Sequence, residues 1–390
     1  MSELRDLKAF RRVAGLELNS LVYSGVLPKP QFENGRIMSN GQPVFDINGE
    51  QLFRRVPFRK GGAIYYADIA THEATGSPFL AIHSGLPWNP RELRKKAGEV
   101  ARKKFRILWD RMNFVAYSYP KVALQFMKRG EEVLMLELYT WEEVPSLVDE
   151  KADPNFQRWS YIEEVTPKER PKRIERFRER LRFWDDIEIR KLRRFDIDKI
   201  ISKEFELLLD PLPKLISLFD CRELHFSLEN TDHHPCYELR GQLTGVWCVA
   251  ASVQMLLDFY RYDYTQDRLA DELGLGTRAN PNGLPYARDG DVVTVIQDMS
   301  NQSLTANMNM NPNWGEFRSE IRANRPLVSF VPRHSRTVAG YCTTTIRPWF
   351  NFRGLLVYDP WPPTTGVITR FENFDTQTYR RTFTAQPTLV

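Results

Sequence analysis

Gly241–Tyr260, GQLTGVWCVAASVQMLLDFY, is the stretch on which the reading of this chain turns. After Cys248, the residues Val249, Val253, Leu256, Leu257 and Tyr260 recur at the spacing of one helical face. Cys248 therefore opens a helix that buries that face. A cysteine acts as a nucleophile in its thiolate form, and a helix N-terminus favours the thiolate through its unpaired N–H groups and its dipole. Gln242 stands six positions ahead of the cysteine. Far downstream come a single histidine, His334, in RHSRTVAGY (333–341), and an aspartate, Asp359, closing an apolar run in GLLVYDPWPP (354–363).

The rest of this half is built from short elements. A second helix is predicted between Thr265 as N-cap and Gly274 just past its end. A loop rich in Gly, Asn and Pro (276–290) follows, then a helix near Val292–Met299 and another over Trp314–Ala323 that stops before Pro326. Three strands come next, LVSFV, RTVAGY and GLLVYD. Helices first and strands later make an α+β order. If the His334 and Asp359 strands are antiparallel neighbours joined through residues 342–353, the end of one lies beside the start of the other. Four roles then follow. Cys248 attacks a carbonyl, His334 takes and returns a proton, Asp359 orients the imidazole, and the Gln242 amide with the Cys248 N–H donates to the oxyanion.

These residues carry a resemblance. Gln242 and Cys248 in QLTGVWCVAAS, the proline-led strand RPLVSFVPRH, His334 in HSRTVAGY and Asp359 in VYDP occur in the order of papain-like cysteine peptidases. Residues 236–380 resemble the bacterial branch that includes AvrRpt2-type effectors and C39-like peptidases. The resemblance implies a papain-like cysteine protease domain over 211–390, with a helical lobe carrying Cys248 and an antiparallel sheet lobe carrying His334 and Asp359. It implies hydrolysis of peptide or isopeptide bonds in a protein or peptide substrate, with no cofactor. The sequence departs from the family where Trp247 precedes the cysteine and Val249 follows it. A second departure is Arg333, which stands where a small residue often precedes the histidine. Two other functions use the same fold: acyl transfer of the transglutaminase type, and an inactive papain-like interaction module.

Residues 1–210 read as a separate mixed α/β domain of unknown role ending in a charged linker helix. Tyr65–Ala70 and Phe79–His83 are predicted strands, and Pro90–Met112 is basic and helix-forming, ending in Phe105, Leu108 and Trp109. KVALQFM and EEVLMLELYTW are spaced as a hairpin. Residues 143–173, with Pro145, Pro154, Pro167 and Pro171, read as a linker or surface excursion, and the stretch 145–171 as an accessible site for self-processing. From Arg173 a charged helix is predicted with Ile174, Phe177, Leu181 and Trp184 on one face and solvated arginines in i,i+4 pairs opposite.

Composition sets the frame. At 390 residues the chain suits two domains, and 42% hydrophobic with 27% charged residues is ordinary for a folded protein. A net charge of +5, from 55 basic against 50 acidic residues, gives no reason to expect nucleic acid. No apolar run is long enough for a membrane span, and the N-terminus, charged from its third residue, lacks a signal-peptide core. The expected location is cytoplasmic, or exported without the usual signal. Four cysteines are expected to remain thiols in a reducing compartment. Cys221, His225, His233 and Cys236 (with His234) hold ligand types for zinc in an unfamiliar spacing, against the simpler reading of a loop entering the second domain.

Overall fold

The computed structural model describes residues 6–145, 158–187, 189–209, 215–224, 237–347 and 350–388. The strands in chain order are β1 (Arg36–Ile37), β2 (Gln42–Asp46), β3 (Gln51–Lys60), β4 (Ala63–Ala70), β5 (Phe79–Ser84), β6 (Arg111–Ser118), β7 (Lys121–Lys128) and β8 (Glu131–Glu137). They continue as β9 (Leu215–Glu223), β10 (Gly276–Thr277), β11 (Asn280–Pro281), β12 (Leu304–Asn309), β13 (Leu327–Val331), β14 (His334–Arg347), β15 (Phe350–Asp359), β16 (Val367–Asn373) and β17 (Arg381–Pro387). All but β10 and β11 belong to one sheet, ordered β12-β17-β13-β14-β15-β16-β5-β4-β3-β2-β6-β7-β8, with β1 on β3 and β9 on β14. The sheet is mixed, because β2 and β6 pair in parallel while the chain-adjacent strands form antiparallel hairpins.

The junction between β16 and β5 carries this sheet from one half of the chain into the other. Thr369 pairs with His83 there, and the His83 Nδ1 lies 3.1 Å from the Thr369 hydroxyl. On its other side the His83 Nε2 meets Asp68 at 2.9 Å, and Asp68 also takes a two-pronged bond from Arg55 at 2.7 and 2.9 Å. All three side chains are buried. Burial alone would raise the Asp68 carboxyl, but the charges and hydrogen bonds of Arg55 and His83 hold it down at about 2. The cores cross the junction as well. Met255, Tyr341 and Leu355 share a cluster with Phe10, Phe58 and Ile82, and Trp361 and Val367 pack with Leu52 and Phe114.

Several expectations are corrected by packing. The helix after the cysteine runs Cys248–Phe259 and is buried on every side except at Gln254, so it is a core helix and not an amphipathic one. The charged helix runs Arg170–Asp185 with Phe177 and Trp184 inward and Arg176, Arg178 and Arg182 exposed, but Arg173 and Arg180 are not part of a solvated face. Arg173 is buried and donates to the carbonyls of Thr376 and Gln377 at 2.9 and 3.0 Å. Arg180 binds Glu17 at 2.7 Å, and Arg178 binds Glu73 at 2.9 Å. These are long-range ties to both ends of the chain. The polar stretch 143–173 likewise contributes Tyr161 and Ile162 to the core, in a short helix Tyr161–Glu164 capped by Ser160. The basic segment from Pro90 is helical to Val100, with one wider turn to Phe105, and Arg111 already begins β6.

The cysteines are the sharpest correction. Cys221 on β9 stands directly opposite Cys342 on β14, and the two form a disulfide. An antiparallel register that sets two cysteines face to face brings their side chains within bonding reach. Cys221 is thereby withdrawn from the zinc reading, and His225, His233, His234 and Cys236 lie outside the described residues. Among the described residues no group of His, Cys, Asp or Glu is arranged to hold a metal ion.

Two outcomes test this architecture. The disulfide closes a separation of 121 residues, which in the chain-entropy picture is worth about 5 kcal/mol. Non-reducing peptide mapping should find Cys221 linked to Cys342, and reductant should lower the urea midpoint accordingly; an unchanged midpoint would contradict it. Asp68→Asn leaves Arg55 without its carboxylate and should cost about 3–5 kcal/mol, read from the same denaturation curve.

Candidate active site

Cys248 is the first residue of its helix. Trp247 takes the N-cap position with no side-chain cap of its own, because its indole is in the core donating to the Leu275 carbonyl at 3.1 Å. The first-turn N–H groups at Cys248 are therefore left without a capping side chain, which concentrates the positive end of the helix on the thiol. Cohesion with the neighbouring strand comes from the Thr337 hydroxyl, which donates to the Ser252 carbonyl at 3.1 Å.

His334 begins β14 directly after a two-residue turn, with Val331 paired to His334 across it. Arg333 occupies the turn position with φ +59, the left-handed region that favours glycine. The departure noted in the sequence, a bulky residue before the histidine, thus sits where backbone strain is expected. Arg333 is held there by its N–H, which donates to the Tyr286 hydroxyl at 2.9 Å, and by its guanidinium, 4.6 Å from the centre of the Tyr286 ring.

β14 and β15 are antiparallel neighbours, with Thr337 opposite Tyr358 and Val338 opposite Val357. The segment 342–353, expected as an excursion, continues the same ladder to Ile346 opposite Phe350. This register sets Asp359 beside His334, and the His334 Nε2 meets the Asp359 Oδ1 at 2.6 Å with both side chains fully buried. The same oxygen accepts the Trp361 N–H at 2.9 Å. Burial pushes the Asp359 carboxyl up, but His334, Arg336 and the Trp361 N–H outweigh it and leave it below its ordinary value. Arg336 is itself paired with Glu372 in a buried ion pair behind the site.

The other imidazole nitrogen, Nδ1, has no partner of normal hydrogen-bond geometry. The thiol responds to this ring. Burial pushes Cys248 up, while the neighbouring His334 ring, the charge of Lys121 and the Ser335 N–H bring it down to about 7. Cys248 and His334 line one small cavity of about 40 Å³ together with Val246, Leu284, Tyr286 and Ser335.

Gln242 sits next to the same strand end without lining that cavity. Its backbone is clamped to the segment after Asp359, its N–H donating to the Pro360 carbonyl at 2.9 Å and its carbonyl accepting from Thr364 at 2.7 Å. Its side-chain amide donates to the Thr244 carbonyl at 2.7 Å, and its Oε1 is buried without a partner. One of the two amide hydrogens thus holds the loop that leads into the Cys248 helix.

Four contributors escaped the sequence reading. Tyr286, Ser335 and Trp361 act through a hydroxyl or a backbone N–H, which any residue type supplies in part. Lys121, far back in the chain, had one available signal: a lone lysine opening the apolar run KVALQFM. No curated protein and no solved structure matches this chain. A model of the Peptidase_C39 like family matches residues 228–386, so the C-terminal part of the chain carries a C39-like peptidase domain.

Proposed function

We propose that the chain is a cysteine peptidase acting through Cys248, His334 and Asp359. The observation that carries this reading is the 2.6 Å contact between the His334 Nε2 and Asp359, which leaves Nδ1 as the ring nitrogen available to the thiol. With the thiol brought down to about 7, the thiolate is populated near neutral pH.

The thiolate attacks the scissile carbonyl carbon, and the carbonyl electrons move to oxygen. The Cys248 N–H and the second hydrogen of the Gln242 amide are the donors assigned to that oxyanion. Collapse expels the amine, which takes its proton from His334. Water then attacks the thioester, giving a proton back to His334 and releasing the acid and the thiolate. Asp359 keeps the imidazole in one orientation and stabilises its cation throughout. The substrate class is protein or peptide.

Two measurements test the reading. Against a mixed peptide library, Cys248→Ala should lose at least about a thousandfold in turnover and Asp359→Asn about ten- to a thousandfold, because only orientation is lost in the second. Intact-mass analysis should catch an acyl adduct on Cys248; neither turnover nor adduct in the wild-type protein would sink the proposal. Because the thiol is lowered and the thiolate is the reactive form, kcat/KM should fall as pH drops below about 7. A rate that is flat from pH 6 to 8 would contradict the assignment of the thiol.

A further inference from the structure

Lys121 is a basic side chain 3% exposed, in the first half of the chain, at the start of β7. Burying an ammonium costs several kcal/mol unless charge of opposite sign is near. Among the described residues it makes neither a hydrogen bond nor an ion pair. Glu137 is the carboxylate within its electrostatic reach, yet the Glu137 Oε2 is already taken by the N–H groups of Tyr139 and Thr140 at 2.7 and 2.6 Å, and its Oε1 has no partner at all. The ammonium is therefore not committed to Glu137.

The hairpin that carries Lys121 is docked on the turn that carries His334. Lys121 pairs with Ser118 across the β6–β7 turn, and the Ser118 hydroxyl donates to the Pro332 carbonyl at 3.3 Å, two residues from His334. Tyr117, one residue earlier and buried, is within the electrostatic reach of Cys248. Its carbonyl is fixed by the Trp159 N–H at 2.7 Å, and Tyr119 on the far side donates to Asp68 at 3.3 Å. The tip is thus held from both sides in a defined place.

We infer that Lys121 is a positioning residue of the Cys248 site, a buried cation that the hairpin of the first half supplies beside the turn carrying His334. The inference rests on Cys248 being the nucleophile. The groups facing the thiol are His334 and the Ser335 N–H from β14, Lys121 and Tyr117 from the hairpin, and Tyr286 from the loop opposite. Behind them stand Asp359 and Arg336 on the histidine side, Glu137 on the lysine side, and Arg333 and Asp289 around Tyr286. Of these, Lys121 is the cation that acts on the thiol directly without a carboxylate bonded to it. The thiolate, together with Glu137, supplies the opposite charge that offsets its burial. A site so built lies in neither half alone, and the first half contributes to the reaction through one charge.

The test is the pH dependence of Cys248 alkylation by iodoacetamide in the full chain, followed by peptide mass spectrometry. Lys121→Met should move the midpoint up by about one pH unit from the wild-type value near 7, and slow labelling at pH 7 by about fivefold. Lys121→Arg should keep the wild-type profile. Thermal melts guard against loss of fold; should Lys121→Met not fold, Lys121→Gln, which keeps length and a polar end, is expected to show the same shift. A Met or Gln variant that melts normally and labels with the wild-type profile would overturn the inference, as would an Arg variant shifted as far as Met. Because the readout is thiol chemistry, the peptidase reading can fail on substrates while this result stands, and the reverse.

Discussion

The ladder between β14 and β15 is the constraint on which the site depends. His334 and Asp359 lie 25 residues apart in sequence, and only the antiparallel register running from Ile346 opposite Phe350 to Thr337 opposite Tyr358 returns them to contact. A slip of one residue would turn each side chain to the opposite face of the sheet and separate the pair. Register is therefore strongly pinned: the buried residues Val338, Tyr341, Leu355 and Val357 fill one core, and Cys342 is tied on its other edge to Cys221. The helix of Cys248 is held to this ladder through Thr337 and through its own burial, so the thiol has little freedom relative to the imidazole.

Buried charge marks the places where the sheet must not slide. Arg55, Asp68 and His83 form a closed cluster at the β5–β16 junction, and Arg336 with Glu372 form another behind Asp359. A buried ion pair adds little net stability compared with apolar packing, but breaking one leaves an uncompensated charge. Such pairs penalise any alternative alignment more than they strengthen the native one. At the junction only three residue pairs join β16 to β5, and one of them, Thr369 with His83, is the pair that reaches the charged cluster. Fidelity at a short seam is what these charges contribute here.

Much of the second half was legible because its signals are local. The thiol at the head of an apolar run, the Thr265 cap with Gly274 at φ +63, and the strands around His334 and Asp359 all follow from spacing within a dozen residues. What escaped was non-local. The disulfide depends on β9 pairing with β14 across 121 positions, and nothing near Cys221 or Cys342 announces it. Arg173 and Arg180 read as part of a solvated face because their carbonyl and carboxylate partners, at Thr376, Gln377 and Glu17, sit at opposite ends of the chain. The helix of Cys248 read as amphipathic because Ala250, Ala251 and Ser252 are small, and only the fold reveals that small residues there let other elements close over it.

Lys121 belongs with these non-local features, and it changes what the first half of the chain means physically. Taken alone, the described residues before 210 hold no group of His, Cys, Asp or Glu arranged for a metal ion. Taken with the sheet, they provide the strand that receives β16, the hairpin that rests on the Pro332 carbonyl, and a buried ammonium close to a thiol. A buried thiol with only its histidine for company would have to overcome its own desolvation through one hydrogen bond. A second cation, Lys121, lowers that cost through its charge without a bond to the histidine. On the proposed reading the two halves then divide the electrostatic work, with His334 and Asp359 coming from the second half and the buried lysine from the first.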